Sequence, residues 1–168
     1  HMPVPPEQLR QVMRRWASTV TVVTMRAGEQ IHGLTATAFT SVSMNPPLVL
    51  VCIQNDSRSD ALLREGRCFA VNFLTEDQRE LSERFAGRIP VADRFEGVPY
   101  QVAVTGAPIL TQALAYLDCT VAGAYWGGDH TIYLGLVEAA GVLREGAPLL
   151  YFEGSYRRLA IPDGREAG

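Results

Sequence analysis

The sequence predicts a mainly β protein with short helices, arranged as an antiparallel barrel. Six or more apolar runs have the length and β-branched composition of strands, and glycine or proline marks most of the turns between them. The helical patterns that separate these runs are short, whereas a parallel sheet needs a long crossover connection after each strand. No Gly-x-Gly-x-x-Gly follows any of the runs, so a Rossmann dinucleotide fold is not supported.

The chain begins with the pattern of a helix and a hairpin. Apolar residues recur at helical spacing behind Pro5 and Pro6, which predicts one amphipathic helix that covers a core. The runs 19–25 and 31–38 predict two strands joined by a short turn. His32 has no suggestive neighbours in the sequence, and we expect it at the surface near a strand end. The apolar helical residues are Leu9, Val12, Met13 and Trp16.

The central stretch, 33–59, links two strands through a proline pair. The prolines at 46–47 lack backbone N–H donors and end one element, so that 48–53 begins as a fresh strand. We expect a helix over 60–65, with Ser59 as its N-cap and Gly66 as its stop.

The second half of the chain adds one helix and the remaining strands. Thr75-x-x-Gln78 has the form of a capping box and predicts a helix that runs to Phe85. Glycines and prolines recur through 87–112, which we interpret as a lid or flank with room for one short strand. The predicted strands of this half are 68–74, 100–104, 114–125, 131–140, 149–152 and 156–159.

Two neighbouring stretches form a candidate site for a mononucleotide-like cofactor. Small side chains at Thr35, Ala36, Thr37 and Ala38 would let a planar heterocycle approach the backbone closely. One strand further on, the hydroxyls and guanidinium of Ser57-Arg58-Ser59 meet the start of a predicted helix, where an anion such as phosphate is favoured. The alternatives are a half-buried strand of small residues at the first stretch and a simple helix cap beside a solvated arginine at the second.

Composition narrows the class of protein. The 168 residues suit one globular domain over 3–168, with His1-Met2 as an expression-tag remnant. The net charge is −3 with both signs interspersed, so we expect no nucleic-acid partner. All fifteen basic residues are arginine, which excludes Schiff-base lysine chemistry.

Cysteine usage and hydropathy predict a cytoplasmic protein. Cys52, Cys68 and Cys119 are far apart and lie in apolar runs, so neither a metal site nor a disulfide framework is indicated. No apolar run approaches the roughly 20 residues that span a bilayer, and we therefore expect no membrane partner. No set of residues suggests hydrolytic or metal catalysis.

The order and spacing of several motifs resemble the short-chain flavin reductases, the reductase components of two-component flavin-dependent monooxygenases. The resemblance covers nearly the whole chain, from about Trp16 to Leu159, and rests on the combination of motifs rather than on any one of them. The motifs are Ser41-x-Ser43-x-x-Pro46-Pro47, Ser57-Arg58-Ser59, Phe85-Ala86-Gly87, Leu117-Asp118-Cys119, Gly128-Asp129-His130, Leu149-Leu150-Tyr151-Phe152 and Tyr156.

The resemblance implies a split β-barrel of the FMN-binding type, a homodimer, and a flavin near the subunit interface. It implies that His130, with Asp129 and Gly128, lies at the nicotinamide-nucleotide site. For Tyr156, Phe152 and Trp126, a place over the ring face or dimer seam and a simple core role stay equally open. The flavin-binding residues that the resemblance implies are Thr35, Ala36, Thr37, Ala38 and Ser41 at the ring, Ser57, Arg58 and Ser59 at the phosphate, and Gln54, Phe85 and Ala86 as further neighbours.

The expected function is that of an NAD(P)H:flavin oxidoreductase. Hydride transfer from NADH or NADPH to FMN or FAD needs the two rings held in contact, because the reactivity belongs to the cofactors, and no catalytic side chain is predicted. The reduced flavin would reach a separate monooxygenase by diffusion. Two alternatives stay open, a non-catalytic flavin- or haem-binding split-barrel sensor or carrier, and a flavoenzyme that acts directly on an organic substrate. The sequence leaves open whether the flavin is a prosthetic group or a substrate.

Overall fold

The structure, a computed structural model, describes residues 1–160. It is mainly β with three short helices, as the sequence predicts. The helices are α1 (Pro6–Met13), α2 (Arg58–Gly66) and α3 (Arg79–Phe85), and the strands are β1 (Ser18–Thr19), β2 (Thr21–Ala27), β3 (Gln30–Ala36), β4 (Phe39–Met44), β5 (Pro47–Gln54), β6 (Cys68–Phe73), β7 (Tyr100–Gln101), β8 (Ile109–Leu110), β9 (Ala115–Gly127), β10 (His130–Val142), β11 (Leu150–Phe152) and β12 (Ser155–Arg157).

One antiparallel sheet of seven strands dominates the molecule. Its order is β3-β2-β6-β9-β10-β5-β4, and β1, β11 and β12 form a small second sheet. The two edge strands, β3 and β4, are consecutive in the chain and are joined only by Thr37 and Ala38. The sheet therefore curls until its edges meet at this point and stay apart elsewhere, which is a split barrel. The predicted fold class is confirmed.

The main core fills the inside of this curled sheet. On β5, the side chains of Val49, Val51 and Ile53 point inward and are buried. They pack with residues of the neighbouring strands, including Phe69 and Tyr133. A second cluster, around Phe85, lies between the sheet and the segments that follow α3. None of the helices in residues 1–160 is long and apolar enough to cross a membrane.

The first helix does not cover this core, so that prediction is wrong. Leu9 and Val12 on α1 are 53% and 62% exposed, and Trp16 just beyond it is 69% exposed. The strands enclose the barrel core together with α2, whose Leu62 and Leu63 are buried in it. The helical spacing therefore predicts correctly that α1 has an apolar face, but not what covers that face.

The start of α2 also differs from the prediction. Ser57, not Ser59, is the N-cap, because the Asp60 N–H donates to Ser57 Oγ at 3.1 Å. The helix ends at Gly66 as predicted, where an added Cβ would lie 1.8 Å from the carbonyl oxygen of Arg26. The shift by two residues leaves the Ser59 side chain inside the first turn, where it is buried.

The predicted capping box forms only in part. The Thr75 N–H donates to the Gln78 side chain at 2.9 Å, but the Thr75 hydroxyl donates to Asp77, and α3 begins only at Arg79. The glycine- and proline-rich passage 87–112 contains β7 and β8, and β8 was not predicted.

Candidate functional site

A cavity of about 680 Å³ lies beside the start of α2, and we call it the anion cavity. Its walls come from β3, from the capping loop (residues 55–60), from the end of α3 and from 91–95, part of the passage predicted as a flank. The volume is in the range of small-molecule sites in proteins. The sequence-predicted flavin residues that line it are Thr35, Ser57, Arg58, Ser59, Phe85 and Ala86.

Arg94 is a wall residue of the anion cavity that sequence reasoning missed. Its Nη1 donates to the carbonyl oxygens of Gly33 at 2.9 Å and Phe85 at 3.1 Å. These bonds hold the guanidinium between β3 and α3, on the same cavity as Arg58. No local motif marks Arg94, because it meets Gly33 only through the tertiary fold.

His32 is also part of this cavity, and the prediction that it is a surface residue is wrong. It is half-buried, and burial first, followed by the positive charges of Arg94 and Arg58, lowers its pKa to about 4. The imidazole is therefore neutral at neutral pH and keeps one N–H donor. The Ser57 hydroxyl already donates to the Gln54 carbonyl at 2.7 Å. Two guanidinium groups, a neutral imidazole and the Ser59 hydroxyl remain as a donor set that suits an anion.

The apolar floor of the cavity is tightly packed. The Phe85 ring is fully buried and packs edge-to-face on Phe95, with 5.1 Å between the ring centroids. A Cβ on Gly33 would lie 2.8 Å from the Phe85 ring, so glycine is required where β3 crosses it. The Thr35 hydroxyl donates to the Ser82 carbonyl at 2.6 Å and ties β3 to α3.

The remaining predicted ring residues do not line the anion cavity. Thr37 and Ala38 line a second cavity of about 620 Å³, the outer cavity, which also contacts α1, β5 and β11. Ala36 packs toward the barrel core, while Ser41 and Gln54 are exposed. The structure thus places the predicted phosphate residues together and divides the small-residue stretch between two cavities.

The predicted nucleotide residues lie in the exposed turn, which is residues 127–130 between β9 and β10. Gly128 has a φ of +74°, and the Asp129 side chain is 93% exposed. His130 Nδ1 lies 2.7 Å from Asp129 Oδ1, and the hydrogen bond with His130 holds the Asp129 pKa below its ordinary value. The three predicted residues are therefore brought together at the surface.

The capping loop and the exposed turn are direct neighbours. Asn55 donates twice to the turn, from its backbone N–H to the Asp129 carbonyl at 3.0 Å and from Nδ2 to the Gly128 carbonyl at 2.9 Å. Asn55 Oδ1 accepts from the Thr131 hydroxyl at 2.7 Å. No motif marks Asn55 or Thr131, and only the hydrogen bond between the loop that follows β5 and strand β10 reveals the link.

A buried carboxylate organises the capping loop from behind. Asp60 accepts hydrogen bonds from the Tyr133 hydroxyl, from the Asp56 N–H at 3.2 Å and from Arg64 Nε at 3.2 Å. Burial alone would raise the Asp60 pKa, but these hydrogen bonds outweigh it and leave the pKa below its ordinary value. Asp60 is thus an ionised anchor for the loop.

Within residues 1–160, no cluster of three or more His, Cys, Asp or Glu side chains is arranged to hold a metal ion. The site consists of hydrogen-bond donors, arginines and apolar walls. A split barrel with an anion cavity and an adjoining exposed turn is suited to a phosphate-bearing planar cofactor.

The chain belongs to the family described as the flavin reductase like domain, which it matches over residues 13–160. It is 40% identical over 161 residues to the NADH-dependent flavin reductase of Rhodococcus sp., covering 94% of this chain and 89% of that protein. It is 41% identical over 157 residues to the reductase component of 4-hydroxyphenylacetate 3-monooxygenase of Thermus thermophilus, covering 93% of this chain and 98% of that protein. The family predicted from the sequence is confirmed.

A solved structure of similar fold is the NADH:FAD oxidoreductase SgcE6 of Streptomyces globisporus in complex with NAD and FAD fragments. It superimposes with a TM-score of 0.86 at 36% sequence identity, and the match covers 100% of both chains. The split-barrel fold of this chain is thus that of a flavin reductase.

Proposed function

We propose that the flavin reductase activity of this chain takes place between the anion cavity and the exposed turn. The protein is an oxidoreductase that reduces a flavin with a nicotinamide nucleotide, as its family membership establishes. The main support for this location is that Arg58, Arg94 and His32 all line one cavity beside the start of α2. Such a donor set favours a phosphate group.

The chain's residues have distinct binding roles in this proposal. Arg58, Arg94 and Ser59 bind the flavin phosphate, Ser57 caps the helix beside them, and His32 donates one hydrogen bond as a neutral imidazole. The stretch from Thr35 to Ala38 leads from the anion cavity to the outer cavity and orients the ring along it. The flavin, when bound, supplies the ring that accepts the hydride, so the chain has only to bind, orient and exclude water.

The nicotinamide nucleotide is proposed to bind at the exposed turn, through Gly128, Asp129 and His130. His130 can donate to an amide or phosphate oxygen, while Asp129 can accept from a hydroxyl or amide. We propose NADH as the preferred donor, since the similar Rhodococcus protein is NADH-dependent and the similar SgcE6 structure holds NAD. FAD and FMN are both candidates for the acceptor.

We further propose that two copies of the chain associate through the outer face of the sheet. Val49, Val51 and Ile53 fill the core, yet the alternate residues of β5 are apolar too and only half-buried. Tyr125, which pairs with Ile132 on this face, is 55% exposed. An apolar patch of this extent on a soluble domain favours a protein partner. The paired residues on this face are Leu48 with Leu136, Leu50 with Leu134, and Cys52 with Ile132.

A charge placed in this face tests the dimer. Leu134→Glu should convert the protein to a monomer, because a buried unpaired carboxylate is costly at an interface. The matched control is Gln101→Glu on β7, which is exposed and lies in another sheet. Light scattering coupled to size-exclusion chromatography measures the mass. A monomeric wild type would contradict the proposal.

The reduced flavin is proposed to leave the protein and reach a separate monooxygenase by diffusion. The similar Thermus protein is the reductase component of such an enzyme. We place this chemistry in the cytoplasm, since Cys52, Cys68 and Cys119 are all free thiols.

The decisive experiment follows the absorbance of oxidised flavin under anaerobic conditions. Purified protein is mixed with NADH or NADPH and with FMN or FAD, and each combination is compared with a protein-free control. Catalytic bleaching over many turnovers, fastest with NADH, is the expected result. Bleaching of one equivalent only would indicate a tightly held prosthetic group. Flavin binding without bleaching would favour the sensor or carrier alternative and overturn the proposal.

A further inference from the structure

We infer that Asn55, Thr131 and Arg64 are positioning residues that couple the two binding sites. Occupation of the anion cavity by the flavin phosphate strengthens nucleotide binding at the exposed turn. This inference rests on the proposed function, since it takes the flavin and nucleotide sites as placed above. The two sites are linked by a chain of hydrogen bonds through these residues.

Asn55 holds the exposed turn by its backbone and its side chain together. Its N–H and its Nδ2 donate to the carbonyl oxygens of Asp129 and Gly128. The preceding residue, Gln54, is the last residue of β5 and pairs with His130, the first residue of β10. The position of the turn relative to the sheet therefore depends on the conformation of Asn55.

Thr131 and Arg64 continue the chain from Asn55 to the helix. The Thr131 side chain is nearly buried, and its hydroxyl donates to Asn55 Oδ1 at 2.7 Å. Arg64 Nη2 donates to the Thr131 oxygen at 3.4 Å, and Arg64 Nε donates to Asp60 at 3.2 Å. Asp60 in turn accepts from the backbone of Asp56 in the capping loop. The contacts form an unbroken path between the loop and the turn.

The path starts within the stretch that is proposed to bind phosphate. Ser57 Oγ accepts from the Asp60 N–H at 3.1 Å and donates to the Gln54 carbonyl at 2.7 Å. Asp56 has a φ of +60°, a conformation that few non-glycine residues adopt without support. A phosphate bound at Arg58 and Ser59 would further stabilise this arrangement of the loop, in which Asn55 holds the turn, and would thereby favour nucleotide binding at the turn.

The coupling is measured as a change in binding constant. The dissociation constant of NAD⁺, which binds without reducing the flavin, is determined by calorimetry with and without saturating FMN. For the wild type we expect FMN to tighten NAD⁺ binding at least about fivefold, the lower end of typical coupling between sites. The reciprocal titration of FMN with and without NAD⁺ must give the same factor, because coupling of binding free energies is reciprocal.

Three variants locate the coupling. Thr131→Val removes the hydroxyl while keeping the shape, and should reduce the coupling factor to about one with the FMN affinity in the absence of NAD⁺ little changed. Thr131→Ser keeps the hydroxyl and should restore the coupling. Asn55→Asp, which lacks the Nδ2 donor, should also lose it and serves if Thr131→Val fails to fold. The matched control is Thr120→Val, which removes a β9 hydroxyl bonded to Glu138 on β10, away from Asn55.

Each outcome has a clear meaning. Coupling in the wild type that disappears in Thr131→Val and Asn55→Asp but not in Thr120→Val supports the inference. Catalytic bleaching without any coupling in the wild type overturns the inference and leaves the proposed function intact. Coupling that survives in both variants, even with reduced unfolding free energy, shows a merely structural network and also overturns it. A protein that binds FMN but reduces none overturns the proposed function instead, and the same titrations then decide the coupling independently.

Discussion

The capping loop and the exposed turn lie side by side at one end of the sheet, yet they are built in opposite ways. The loop is anchored by the buried Asp60 and Ser59, each 3% exposed, and it caps a helix. The turn is a two-residue connection between β9 and β10, and its Asp129 side chain is 93% exposed. One end of the sheet thus combines a preorganised anion site, at the capping loop, with an exposed surface, at the turn, that a second ligand can reach.

The largest expected difference between the two regions is in stability. Asp60→Ala should lower the free energy of unfolding by about 3 kcal/mol, because it leaves the buried Tyr133 hydroxyl and the Asp56 N–H without their acceptor. Asp129→Ala, the same substitution in the exposed turn, should change it by less than about 0.5 kcal/mol. Urea unfolding followed by circular dichroism measures both. Equal losses would show that the loop is no better anchored than the turn.

The second prediction concerns flavin affinity. The double variant Arg58→Ala, Ser59→Ala should weaken flavin binding about 100-fold, since two hydrogen bonds to a charged group are lost. Arg15→Ala, a surface arginine whose side chain is 77% exposed, is the control and should leave binding unchanged. Quenching of flavin fluorescence gives the dissociation constants. An unaltered flavin dissociation constant in the double variant would contradict the assignment of the flavin phosphate to the anion cavity.

The third prediction separates the turn from the loop by kinetics. His130→Ala should raise KM for NADH about tenfold, the loss of one hydrogen bond to a polar ligand group, while flavin affinity stays the same. His130→Gln, which keeps an N–H donor, should recover part of the loss. Steady-state rates at saturating flavin give the values. An unchanged KM for NADH in both variants would contradict the proposal that the nucleotide binds at the exposed turn.

The last prediction is a pH dependence in the wall of the anion cavity. The His32 pKa is lowered from 6.5 to about 4, so between these values the unfolded chain binds a proton that the folded chain does not. The free energy of unfolding should therefore fall as the pH decreases from 6.5 to 4. His32→Gln should make this fall shallower. Unfolding curves at several pH values provide the test, and parallel slopes for the two proteins would contradict it.

Local patterns were sufficient to predict most of the elements. The hairpin of β2 and β3, the long pair β9 and β10, and the end of α2 at Gly66 all follow from short-range signals. The choice of N-cap at α2 did not follow, because Ser57 and Ser59 are equally good caps by residue type. The structure selects Ser57 through the positive φ of Asp56, which turns the chain into the helix.

The same limit applies to surfaces. The apolar spacing in α1 and the apolar residues on both sides of β5 indicate faces that pack against other groups. The spacing does not identify the groups that each face contacts. In β5 one face packs in the barrel core, while the other remains half-exposed. In α1 the face stays exposed, so a pattern that looks like core packing is not core packing in this chain.

The sequence by itself determined the family, the mainly β class and the identity of Ser57, Arg58, Ser59 and His130 as candidate ligand residues, because strand alternation and motif order are local properties of the chain. Only the tertiary structure brought Arg94 and His32 to the anion cavity and joined Asn55 to Thr131. These residues are far apart in the chain and meet only through long-range strand pairing, as between β5 and β10, and through packing of the segments against the sheet. Long-range proximity depends on the closure of the whole barrel, and no short stretch of sequence contains it.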